Sequence, residues 1–188
     1  MPCCDACGRP AGGGRWCRPC AATAVASPEQ AQRLIRRVLR WAQGLGIVLD
    51  PAFVLRVTLI TDRPSDRPGH LGSTLIRHLV TPRGERRRVL GMSIRRGLPA
   101  LLFMGVAVHE LIHIWAALRR WRLHPWAEEG LGELLAYRFF RDLGTPEALF
   151  LARRIEINPD PLYGDGFRRM RRLIGEGKEE LRRFLRER

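Results

Sequence analysis

Two histidines four positions apart, with a glutamate directly after the first, occur at His109-Glu110-Leu111-Ile112-His113. On a helix, positions i and i+4 share a face, so both imidazoles point at one spot about a turn apart. Such a pair suits a zinc ion, which lowers the pKa of a bound water to ~7 and polarises a carbonyl. Glu110 sits beside the first ligand. It reaches that water without binding the metal and serves as general base, later handing the proton to a leaving amine. The competing reading is a pair of core histidines on an apolar helix. The small residues Gly105 to Val108 on the approach, with Ile112, Ile114 and Trp115 packing behind, favour the metal.

A catalytic zinc needs a third protein ligand and one open position. Glu129, in Glu128-Glu129-Gly130, follows His113 near the start of the next expected helix, and Glu133 lies one turn further on the same face. This spacing suits a division of labour. Glu129 binds the metal, and Glu133 accepts the free ring N–H of a ligating histidine, fixing its tautomer and orientation. Glu128 is the competing third ligand. The alternative, a solvated acidic face, fits less well because these carboxylates interrupt a strongly basic chain. A developing oxyanion needs a further donor, for which Tyr163, in a glycine-rich stretch, is the candidate catalytic hydroxyl; a loop tyrosine packing on the last helices is the equal alternative. His70, His78 and His124 are weaker alternatives.

All five cysteines fall within the first twenty residues. Cys4-x-x-Cys7 and Cys17-x-x-Cys20 form two knuckles, with Gly8, Pro10 and Gly12 to Gly14 supplying the turns. Four thiolates at this spacing make a closed structural zinc site, and a segment this short depends on the metal to fold. A disulfide pair is the alternative, but nothing points to an oxidising compartment. Cys3 is left as a free thiol, unless it substitutes for Cys4. The cofactor expectation is thus two zinc ions, one catalytic and one structural.

The elements that must position these residues can be read from spacing. Residues 1–22 form the zinc-ribbon-like module, and Ala21 to Ala26 link it to a main body over residues 27–188. Ser27-Pro28-Glu29-Gln30 reads as a capping box opening a helix that ends at Gly44. Val54 to Thr61, Leu75 to Val80 and Val89 to Ile94 read as strands, with a Pro/Asp/Gly loop over Asp62 to Gly69 and a turn near Thr81 to Gly84. Helices are expected over Pro99–Arg120, which carries the histidines, and over Pro125–Leu143. Thr145 caps another, to about Ile155. Asn158 to Gly166 reads as a loop, and the remainder as basic helix. A small sheet among helices implies an α+β fold.

The 188 residues carry a net charge of +14, nearly all arginine, with Lys178 the only lysine. That charge reads equally as a solvated basic surface or as one suited to an acidic partner or nucleic acid, and no aromatic-interleaved recognition motif accompanies it. An apolar fraction of 45% excludes whole-chain disorder. No leader peptide is expected, since Met1-Pro2-Cys3-Cys4 lacks an apolar stretch. The run Leu98–Leu118 is long enough to span a membrane, but it carries His109, Glu110 and His113 at its centre. A carboxylate there costs roughly 2.5–3.5 kcal/mol to insert, so no membrane span is expected and the location is read as cytoplasmic.

Glu-Glu-Gly after the histidine motif resembles the gluzincin metallopeptidases, in which a glutamate on a second helix completes the site. A closer resemblance runs through four blocks: Gly97-Leu98-Pro99, Ala107 to Trp115, Glu128-Glu129-Gly130, and Tyr163-Gly164-Asp165-Gly166-Phe167-Arg168. Together they look like the peptidase domain of the plant "DA-one" organ-size regulators, over roughly Val54 to Arg172. This resemblance implies a zincin-like endopeptidase acting on protein or peptide, with His109, His113 and Glu129 as ligands, Glu110 as base and the Tyr163 loop bordering the site. The chain departs from those proteins upstream: its cysteine module is much shorter than their LIM domain, and no ubiquitin-interacting helix is evident. Two other classes compete. One is an inactive zinc-binding adaptor, against which the intact Glu110 argues. The other is a DNA-associated protease of the Spartan type, which would use a third histidine, for which His124 is the only nearby candidate.

Overall fold

The computed structural model describes residues 2–61, 71–81 and 84–187, with the side chains of 78–81 and 84–87 excepted. His70, the side chain of His78, the loop after Asp62 and positions 82 and 83 of the expected turn lie outside the described residues. The fold is α+β. Among the described residues it has three strands, β1 (Val57–Ile60), β2 (Gly72–Thr81) and β3 (Gly84–Arg95), and seven helices. The helices are α1 (Arg18–Ala21), α2 (Pro28–Gln43), α3 (Ala100–Leu118), α4 (Pro125–Leu143), α5 (Pro146–Glu156), α6 (Tyr163–Ile174) and α7 (Lys178–Arg186).

Helix α2 opens on a complete capping box, Ser27 accepting from the Gln30 backbone and Gln30 accepting from the Ser27 backbone. Thr145 likewise caps α5 by accepting from the Ala148 N–H. The strand order is β1-β3-β2, with β1 parallel and β2 antiparallel to β3. Strand β1 is shorter than the expected Val54–Thr61, whereas β2 and β3 extend further toward each other as a long hairpin. Cross-strand pairing from Gly72↔Ile94 to Thr81↔Gly84 carries the arginine-rich start of β3 into the sheet, which intrinsic strand preference alone would not.

Helix α3 is the centre of the molecule. It is apolar on all sides, packing on β2 and β3 on one flank and on α2 and α4 on others. Phe103, Leu111, Ile114 and Trp115 are buried along it, in one core cluster with Leu131, Leu134, Phe139 and Phe167 of α4 and α6. It is long and apolar enough to cross a membrane, yet most of it is buried inside the fold, the condition of a core helix.

One feature departs from the sequence reading and two refine it. Tyr163 begins α6 rather than lying in a loop, so the expected loop over Asn158–Gly166 ends at Leu162. Gly166 lies within α6 where that helix crosses α4: a Cβ on Gly130 would stand 2.3 Å from Gly166 O, and a Cβ on Gly166 would stand 2.6 Å from Trp126 O. The basic C-terminal segment is two helices, broken at Gly175 to Gly177. Finally, the Ala21–Ala26 link is built into the fold. Val25 N–H donates to Leu98 O at 2.9 Å, Gly97 N–H to Val25 O at 2.8 Å, and Ala100 N–H to Thr23 O at 3.1 Å. Pro99, at the N-cap of α3, offers no side-chain cap, and Thr23 takes that role from outside the helix with its Oγ1 3.2 Å from Ala100 N. The cysteine module also docks on α5. Arg9 pairs with Glu147 at 2.8 Å, Arg154 donates to Asp5 O at 2.6 Å, and the Phe150 ring lies against Gly8.

Candidate metal centres

Helix α3 presents His109 and His113 with ring centroids 5.0 Å apart. Helix α4 starts at Pro125, and its first three turns bring Glu128, Glu129 and Glu133 across from them. Glu129 Oε2 lies 3.0 Å from His109 Nε2 and 3.6 Å from His113 Nε2. The other ring nitrogens are held separately: His109 Nδ1 is 3.0 Å from Glu133 Oε1, and His113 Nδ1 is 3.0 Å from Glu128 Oε1. Both Nε2 atoms and the Glu129 carboxylate therefore converge on one point, with all ligand atoms within 4.8 Å of one another. An ion with zinc's bond lengths in a tetrahedral site separates such donors by roughly 3.4 Å, so the group fits. Glu128, the competing ligand, faces the far side of His113 and orients it.

The protonation behaviour fits the same arrangement. Burial opposes a charge on His109, but hydrogen bonds to Glu129 and Glu133 outweigh it and raise its pKa to about 10. His113 is raised to about 9 by Glu128 and Glu129 against the same opposition from burial. Glu129, which burial alone would push up, is lowered to about 2 by the two histidines. Without metal, protons occupy the place of a cation, and a metal ion must displace them.

Glu110 is the one charged side chain among the described residues that is buried outright, at 6% exposure. An isolated buried carboxylate is costly unless hydrogen-bonded, and Thr74 of β2 supplies the bond, its Oγ1 2.9 Å from Glu110 Oε2. Tyr163 stacks beside the centre with its ring centroid 6.1 Å from that of His109. Burial, together with the charges of Glu129, Glu110 and Glu133, raises the Tyr163 pKa, which keeps its hydroxyl a donor. His124 occupies the N-cap of α4 and stacks on Trp126, and it is not part of the converging group.

The second centre is local in sequence. Cys4, Cys7, Cys17 and Cys20 bring their sulfurs within 4.8 Å of one another, with Cys7 Sγ and Cys17 Sγ 3.5 Å apart. Tetrahedral coordination at zinc–sulfur bond lengths implies roughly 3.8 Å. Every cysteine is a free thiol, and Cys3 is exposed outside the cluster. Within the metal-free cluster the thiols pull apart: burial works against a Cys7 thiolate, yet hydrogen bonds from the Arg9 side chain and backbone bring its pKa down to about 6, while burial and the neighbouring thiols push Cys20 up.

Sequence reasoning brought together His109, His113, Glu110, Glu129 and Glu133. It missed Thr74, and it missed Gly132, where a Cβ would stand 2.8 Å from the His109 ring. No local signal marks a strand threonine as the neighbour of a helix glutamate. Compared with known proteins, the chain matches no family model, no curated protein and no solved structure.

Proposed function

We propose that this chain is a zinc-dependent endopeptidase of zincin-like architecture, with a second, structural zinc in the cysteine module. The observation that carries the reading is the convergence of both Nε2 atoms and Glu129 on one point beside a buried, hydrogen-bonded Glu110. A two-histidine, one-carboxylate set and a four-thiolate set are both donor combinations that suit zinc. The resemblance to the "DA-one" peptidase domain supports the same class.

His109, His113 and Glu129 would hold the zinc, which when bound would supply a water of lowered pKa and polarise the scissile carbonyl. Glu110 takes the proton from the attacking water and delivers it to the leaving amine. Glu133 and Glu128 hold the histidine Nδ1 protons, so that each ring keeps Nε2 free as a ligand. The Tyr163 hydroxyl donates to the oxyanion as it develops. Strand β2 is an edge of the described sheet and lies against Glu110. Its outer N–H and C=O groups suit an extended polypeptide as substrate.

The test is cleavage of an unfolded protein by the zinc-reconstituted chain. Cleavage that stops on chelation and returns with zinc is expected. Absence of cleavage, or cleavage that survives complete metal removal, overturns the proposal.

A further inference from the structure

Glu110 can act as a base only if its carboxylate is held in one orientation, and α3 itself offers no side chain that does so. The partner comes from β2, 36 positions away, where Thr74 Oγ1 stands 2.9 Å from Glu110 Oε2 and 3.1 Å from Glu110 O. The close approach is built into the strand. Gly72 and Thr74, two positions apart, share one face. A Cβ on Gly72 would stand 2.5 Å from Val106 Cγ1 and 3.1 Å from Glu110 Oε1, so only glycine lets β2 reach the helix there. The opposite face of the same strand is tied to β3, Ser73 Oγ lying 2.8 Å from Ser93 Oγ. A β-branched side chain on a strand pinned at this register has a stiff χ1, so its hydroxyl oxygen is held where its single proton goes to Glu110 Oε2, the nearer acceptor, in competition with Glu110 O.

From this geometry we infer that Thr74 is a positioning residue for the base: its hydroxyl anchors Glu110 Oε2, which leaves Oε1 to take the proton. The inference rests on the hydrolytic reading of the site. It predicts that the hydroxyl, rather than the shape of residue 74, controls turnover. It also predicts that metal binding is untouched, since Thr74 meets none of the three ligands.

The experiment compares zinc-loaded wild type, Thr74→Val, Thr74→Ser and Glu110→Gln, measuring bound zinc, kcat and KM on an unfolded protein. Valine keeps the shape and loses the donor; serine keeps the donor. Thr74→Val is expected to lose roughly 10–100-fold in kcat, the scale of one hydrogen bond to a charged group, with zinc content and KM unchanged. Thr74→Ser is expected to stay within about threefold of the parent, because its donor survives. A parental kcat in Thr74→Val overturns the inference, as does an equal loss in valine and serine, which would make residue 74 a packing residue. Full activity in Glu110→Gln sinks the hydrolytic reading instead. A crystal structure of zinc-loaded Thr74→Val decides the positioning claim without any activity: a Glu110 carboxylate turned from its parental place supports it, and an unmoved one overturns it.

Discussion

The two candidate metal centres are built in opposite ways. The cysteine centre draws every donor from one short segment, Cys4 to Cys20, with Cys4 and Cys17 fully enclosed. The histidine centre gathers its groups from α3, α4, α6 and β2, and it leaves the Glu129 side chain 24% exposed. In the first, a bound metal would substitute for a core that the segment is too small to form. In the second, a large apolar core is already in place and the site is mounted on its most buried helix. Loss of metal should therefore cost structure at one centre and chemistry at the other.

The largest effect is expected at the cysteine centre. Structural zinc in such modules contributes on the order of 10–16 kcal/mol at neutral pH, so Cys17→Ser/Cys20→Ser should unfold residues 2–22. Hydrogen exchange should lose amide protection there and at Ala100, whose cap Thr23 supplies, while the middle of α3 and α4 stays protected. Retained protection across residues 2–22 would break the comparison.

Next come the carboxylates of α4. Glu129→Ala removes a ligand, and the histidine centre should lose its metal outright with the fold intact. Glu133→Ala and Glu128→Ala remove only an orienting hydrogen bond, and each should weaken zinc binding about 10–100-fold. Zinc titration after the cysteine centre is filled separates these outcomes. Parental affinity in Glu129→Ala with loss in Glu128→Ala would reverse the assignment.

The pH dependence sharpens the contrast further. With His109 at about 10 and His113 at about 9 in the metal-free site, zinc must displace protons, so its apparent affinity should climb from pH 6 to about 9. The metal-free protein should behave oppositely. Raised histidine pKa values stabilise it fully below their ordinary 6.5, and that contribution is lost as pH rises through about 9 to 10. Glu129, lowered from 4.5 to about 2, contributes above its ordinary value and loses that contribution as pH falls through about 2. Thermal melts of metal-free protein should show this window, and a flat profile from pH 6 to 10 would contradict it. The smallest effect is expected far from both centres. Thr145→Ala removes the α5 cap, costing ~1 kcal/mol and lowering Tm by about 2–4 °C, with zinc content unchanged.

What was legible in the sequence follows the same division. Groups related by local periodicity could be placed from spacing: the cysteine knuckles, the helical pair His109 and His113, the Glu129 and Glu133 pair, and the caps at Ser27 and Thr145. Groups related only through the fold could not. Thr74 meets Glu110 because β2 and α3 pack together, and Glu128 faces His113 because α4 packs on α3. Tyr163 was read as a loop residue because Gly164 and Gly166 look like loop signals, whereas Gly166 sits inside α6 where the backbone passes too close to Trp126 and Gly130 of α4 for a side chain.

The most direct test of the central claim, a hydrolytic centre on α3, is to measure metal content and proteolysis together in Glu110→Gln. The amide cannot accept a proton, yet His109, His113 and Glu129 all remain. Two zinc ions per chain with cleavage reduced at least about 100-fold is the predicted result. Parental cleavage by the zinc-loaded variant would contradict the account.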